Sequence, residues 1–137
     1  MANNTETQKV AAASAATKQA MAALVLGWLV PGAGHLLVKR WYRGLLIMAS
    51  IFILFFVGLG MQGKVYGFNT GDLLDMLGFV GDVGTGMLYI VAHAADWGQG
   101  AINRATADYG TKYIVVAGLL NVMAAIDAYH IALGKKQ

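Results

Sequence analysis

The sequence contains no cysteine. That absence excludes disulfide staples, thiolate metal ligands, iron–sulfur clusters and a cysteine nucleophile together. Proline occurs once, at Pro31, so only one position is barred outright from continuing a helix. Charge is scarce as well: 12% of residues are Asp, Glu, Lys or Arg, against about 25% in soluble domains. The basic residues lie in ones and twos apart from Lys39-Arg40-Trp41-Tyr42-Arg43. No basic stripe is therefore available for nucleic acid, and the short cluster reads as a juxtamembrane patch against lipid headgroups. Nucleophile elbows, Walker loops, paired carboxylates and zinc-hydrolase motifs are also missing. The expectation is a protein that is not an enzyme and has no catalytic, cofactor-binding or metal-binding set.

What the chain has instead is apolar residues in blocks. They make up 58% of its 137 residues, and the mean hydropathy is +0.57. The length bounds it to one domain. Blocks rather than amphipathic stripes predict an all-α integral membrane bundle of about four hydrophobic helices, over residues 20–38, 44–60, 73–95 and 113–133. A polar and alanine-rich arm over 1–19 precedes them, with Thr5 and Gln8 at capping-box spacing. Residues 20–137 form the membrane domain.

The blocks differ in quality. Gly44 to Gly60, GLLIMASIFILFFVGLG, has no charge and is flanked by Trp41, Tyr42, Tyr66 and Phe68, as interfacial anchoring requires. Tyr113 to Leu133 is the second firm span. The first block is broken at Pro31-Gly32-Ala33-Gly34, with about 11 apolar residues before the proline where a crossing needs about 20. It either crosses with a kink, the preferred reading, or ends as a half-helix and turns back as a re-entrant hairpin. A secretory signal, with Lys9 and Lys18 ahead of Met21 to Val30, is a third reading of the same stretch. The block at 73–95 is burdened by Asp75, Asp82 and His93. A kinked first crossing divides Lys and Arg equally between the two faces, whereas a re-entrant one restores a bias. The 39–43 loop is assigned to the cytoplasm.

Three constellations stand out. Pro31, Gly32, Gly34 and His35 form a step whose freed carbonyls could bind a cation or a polar ligand, although a tight interhelical turn accounts for it as well. Asp127 and His130 lie three apart on one helical face, suited to a proton relay or to a structural role near the interface. Asn121 begins a small-residue stripe with Ala124, Ala128 and Ala132, extended backward by Ala117 and suited to close helix packing. Asp82 stands apart: mid-span, a carboxylate costs about 2.5–3.5 kcal/mol to insert and must face a partner, a cavity or another subunit. The plainer readings are that the segment lies at the interface with Asp82 wet, or that Asp82 pairs internally with Thr85, Asn121 or a basic group.

Pro31-Gly32-Ala33-Gly34-His35, then the Lys39 to Arg43 turn, Gly44 and a Leu/Ile/Phe run resembles the two-helix unit of the TM-two domain superfamily, over about residues 25–60. Paired with Ala117-Gly118-Leu119-Leu120-Asn121, Asp127-Ala128-Tyr129 and Ala132-Leu133-Gly134-Lys135, it is similar to a bacterial family of small multi-pass membrane proteins of unknown function. That family leads one to expect aspartate where His130 stands and tyrosine where Leu37 stands. The resemblance implies a bacterial cell-membrane location and no activity. The leading expectation is a small accessory or scaffold subunit that packs against lipids and other transmembrane helices. The alternatives are an ion- or proton-conducting oligomer using Asp82 and Asp127, and a helix-packing subunit of a photosynthetic or respiratory complex.

Overall fold

The computed structural model describes residues 2–68, 71–100 and 104–135. Its elements are α1 (Ala2–Leu29), α2 (Ala33–Leu37), α3 (Trp41–Gly60), α4 (Leu73–Val83), α5 (Met87–Ala94) and α6 (Ala105–Ala132). The protein is an all-α membrane bundle without strands among the described residues. Its only extended pairing there is an isolated antiparallel bridge between Lys64 and Gln99.

Two helices, α3 and α6, form the frame. At 20 and 28 residues they measure about 30 and 42 Å at 1.5 Å per residue, enough for a hydrocarbon core of about 30 Å. They run antiparallel. Gly44 at the start of α3 and Asp127 near the end of α6 both neighbour His35, while Gly58 at the end of α3 packs on Gly110 and Ile114. Ile51, Phe55, Ile114 and Ala117 fill the space between them, together with Leu88 and Ala92 of α5. The end that carries Lys39 to Arg43 is called the basic end below, and the other the far end.

α6 begins earlier than expected, at Ala105 rather than Tyr113. Three local features extend it. Asp108 pairs with Lys112 at 2.7 Å, four residues on; the Thr111 hydroxyl donates back to the Ala107 carbonyl; and Gly110 packs on Gly58 and Gly63.

The first block breaks at Pro31-Gly32, as expected, and the chain reverses there instead of crossing with a kink. α1 and α6 run antiparallel, with Gly27 beside Ala125 and Trp28 bonded to Asn121. Gly32 has φ +80° and turns the chain, so that Gly34 lies back against Ala23, Gly27 and Ala128. α1 therefore descends from the basic end only to the level of Asn121, and α2 climbs back. The expected boundary between arm and first span falls inside one continuous helix. Residues 3–19 project beyond the bundle, exposed except for half-buried Ala16. By length and composition, residues 3–29 qualify as a span. The packing places their polar half outside the frame of α3 and α6.

The candidate span at 73–95 is two helices bent by 112°. With 11 and 8 residues, about 17 and 12 Å, neither crosses alone. α4 climbs beside α6, with Gly81 against Val115 and Gly84 against Gly118. Gly86, at φ +63°, then turns the chain back. Its two ends are tied together: the Val65 N–H donates to the Gly98 carbonyl at 2.9 Å, next to the Lys64–Gln99 bridge. The pair thus enters and leaves at the far end, as a re-entrant hairpin.

Candidate functional site

The two hairpins, one from each end, meet tip to tip about halfway along α6. Helix ends leave carbonyls without intrahelical partners, and in lipid no water is available to satisfy them. One side chain serves two of them: the Asn121 amide donates to the Trp28 carbonyl at 2.8 Å and to the Gly84 carbonyl at 2.9 Å. The Trp28 indole in turn donates to the Val83 carbonyl at 3.2 Å. These bonds join α1, α4 and α6.

The junction is also tight. A Cβ on Gly86 would overlap the Trp28 carbonyl, and one on Gly118 would overlap the Gly81 carbonyl. The expected stripe around Asn121 is likewise a contact, with Ala117, Ala124 and Ala128 buried. Ala132 is half-buried.

Asp82 lies one turn below the junction, inside the α4–α5 hairpin, and is fully buried. Its partner is none of those expected from sequence. Oδ2 accepts the Tyr66 backbone N–H at 2.6 Å, and Oδ1 has no partner among the described residues. Thr85 bonds the Asp82 backbone carbonyl rather than the carboxylate. Asn121 Oδ1 is a second buried oxygen without a partner.

The lining of this hairpin is aromatic. The Tyr66 ring packs on Gly78, the Tyr89 hydroxyl donates to the Tyr66 carbonyl at 3.3 Å, and His93 stacks on Tyr89. The Lys64 ammonium sits 5.0 Å above the Tyr66 ring. Burial, and then the carboxylates around it, Asp75 first, push the Tyr66 phenol above its ordinary value.

At the basic end, Asp127 pairs across the bundle rather than along its helix. His35 Nε2 stands 3.1 Å from Asp127 Oδ2, and Arg43 Nη1 stands 3.6 Å from the same oxygen. Buried His35 thus anchors α2 to α6, with Arg43 adding the first turn of α3. His130, on the same face of α6, instead tilts against Tyr129 and lines an apolar groove with Asp127, Ile47, Ser50 and Met123. Lys39 and Arg40 are exposed in the turn. No group of three or more His, Asp or Glu residues among those described is placed to hold a metal.

Sequence reasoning singled out Asp82, Asn121, Asp127 and Pro31, and the structure gives each a packing or pairing role. It missed Trp28 and Tyr89, and it placed Tyr66 only as an interfacial anchor and Gly86 inside a spanning block. The available sign was Gly84-Thr85-Gly86, two glycines astride a threonine in an apolar run, which marks a turn more readily than a helix interior. A family of unknown function (DUF6677) matches residues 22–137. No curated protein and no solved structure matches the chain.

Proposed function

The chain belongs to that family of unknown function, and on this premise we propose that it is a non-enzymatic adaptor, a small accessory subunit that holds a helical strut off one face of a membrane for a partner protein. The observation that carries this reading is α1. Among the described residues its stretch 3–19 is exposed apart from half-buried Ala16, and a polar, alanine-rich helix held away from its own bundle fits a bridge between bodies. The strut lies ahead of residue 22, where the family match starts.

Its stability needs no partner at every residue. Nucleation is the costly step in helix formation. The packed half of α1, with Ala20, Ala23 and Gly27 buried, supplies it, and alanine propagates the helix outward at the lowest intrinsic cost. The result is a rod of about 26 Å beyond the bundle.

The face is proposed to be cytoplasmic, in a bacterial cell membrane. With both hairpins re-entrant, Lys9, Lys18, Lys39, Arg40, Arg43 and Lys135 share the basic end, against Lys64, Arg104 and Lys112 at the far end. That excess satisfies the positive-inside rule.

The separation of Asp82 from Asp127 favours the adaptor over the conducting-oligomer reading. Asp127 is engaged at the basic end with His35 and Arg43, Asp82 lies in the opposite hairpin, and the Asn121 junction is packed between them. The test is purification from native membranes of the full chain and of a chain lacking residues 2–19, with mass spectrometry of co-purifying proteins and an absorption spectrum. The proposal expects a stoichiometric protein that is lost with the strut while the bundle stays in the membrane. A colourless chain with the same companions, or none, in both forms would overturn it. A bound chromophore would favour the photosynthetic or respiratory alternative.

A further inference from the structure

We propose that Asp82 is the loading site for one small cation, a proton or an alkali-metal ion, reached from the far end through the mouth of the α4–α5 hairpin. This goes beyond the adaptor reading and does not rest on it.

The starting observation is a carboxylate that is fully buried within a membrane bundle, with one oxygen on a single backbone N–H and the other on nothing among the described residues. A buried charge without a counter-charge is so costly that the group takes up a proton or a cation instead. Intramembrane ionisable groups are otherwise paired or face a pathway.

The neighbours do not supply the missing charge. α4 contributes Thr85, whose hydroxyl is spent on the backbone, and Asp75, which is itself acidic. α5 contributes Tyr89 and, beyond it, His93 stacked on the Tyr89 ring. The loop contributes Tyr66, and Lys64 lies over the ring of Tyr66 and forms no ion pair with Asp82. α6 presents Val115 and Gly118 to this part of α4. Backbone dipoles do not decide the matter either. The C-terminal ends of α1 and α4 reach the junction together with the N-terminal ends of α2 and α5, so their partial charges largely offset. What is left over is the charge on Asp82.

Access follows from the same residues. Tyr66, in the loop at the far end, lies against the carboxylate. Its N–H faces Asp82, its carbonyl takes the Tyr89 hydroxyl, and its ring carries the Lys64 ammonium outside. These polar groups lead from the hairpin mouth to Oδ2 of the carboxylate. On the other side, the Asn121 junction closes the path towards the basic end.

The test uses the full chain purified in detergent and its Asp82→Asn variant, which keeps an acceptor for Tyr66 and removes the charge. Thermal unfolding is measured from low to high Na+, K+ or Li+, balanced with choline at constant ionic strength. Infrared spectra at neutral pH are recorded in parallel. A saturable rise in Tm with one alkali ion, absent in the variant, identifies a metal ion as the occupant. No ion dependence together with a protonated-carboxyl stretch that vanishes in the variant identifies a proton. A folded wild-type chain that shows neither overturns the proposal, and this outcome can be read from the wild type alone.

Discussion

At the scale of single residues, the fold hangs on polar side chains that close helix ends in lipid. Asn121→Ala would strand the Trp28 and Gly84 carbonyls. At the roughly 0.6–1.7 kcal/mol measured per interhelical hydrogen bond in membranes, it should cost about 1–3 kcal/mol, read by reversible unfolding in mixed SDS micelles. A loss below about 0.5 kcal/mol would mean that water reaches the junction. Gly118→Val should be worse, because the Gly81 backbone occupies the space its side chain needs; no folded bundle is expected to be recovered from detergent. Asp127→Asn should cost more than Arg43→Gln, since the first disturbs buried His35 and the second only a half-exposed pair, of the kind worth about 0–1 kcal/mol. The importance of Asn121, Asp82 and Asp127 was legible, because polar residues in apolar runs need partners. Which partners was not: Asn121 reaches Trp28 across 93 positions and Asp127 reaches His35 across 92, and no local periodicity encodes such pairs.

At the scale of elements, the uninterrupted span α3 was readable from length and flanking aromatics, and so was most of α6. The broken ones were not. Whether a proline or glycine step kinks a helix or reverses it depends on what waits beside it. Here Gly34 finds Ala23 and Ala128, while Gly86 finds the Trp28 carbonyl. The re-entrant paths make a sharp prediction, helped by the absence of native cysteine. In sealed vesicles, Lys64→Cys and Gln99→Cys should react with an impermeant maleimide from one face, and Lys9→Cys and Lys39→Cys from the other. Labelling of positions 64 and 99 from opposite faces would show that α4–α5 crosses. The strut is separable from the bundle: Ala12→Pro should break it at a local cost of about 3 kcal/mol. Helical circular dichroism should fall while the thermal midpoint of the membrane domain stays put, and a shifted midpoint would place residues 3–19 against the core.

At the scale of the whole molecule, the path has an inverted order. A half-depth hairpin and a crossing start from the basic end, and a half-depth hairpin and a crossing start from the far end. Of the three helices long and apolar enough to cross, α3 and α6 frame the bundle while α1 reaches only the level of Asn121, so the basic end gathers the strut, the basic turn and residue 135 on one face. This is why a charge count that assumed four crossings balanced and one with two crossings does not. Depth can be checked by quenching: Trp28 fluorescence should be quenched by brominated lipids labelled deep in the acyl chain, and Trp41 by those labelled near the headgroup. Equal depths for the two would mean that α1 stops at the interface. The Asn121 clasp also has a consequence for biogenesis. The first hairpin leaves the ribosome with its Trp28 carbonyl bare, and the residue that will cover it follows 93 positions later, roughly 5–20 s at ordinary synthesis rates. Through that interval the nascent chain needs shelter at the insertion machinery, and a stop codon anywhere before residue 121 would release a fragment fit for quality-control proteolysis rather than a smaller working protein.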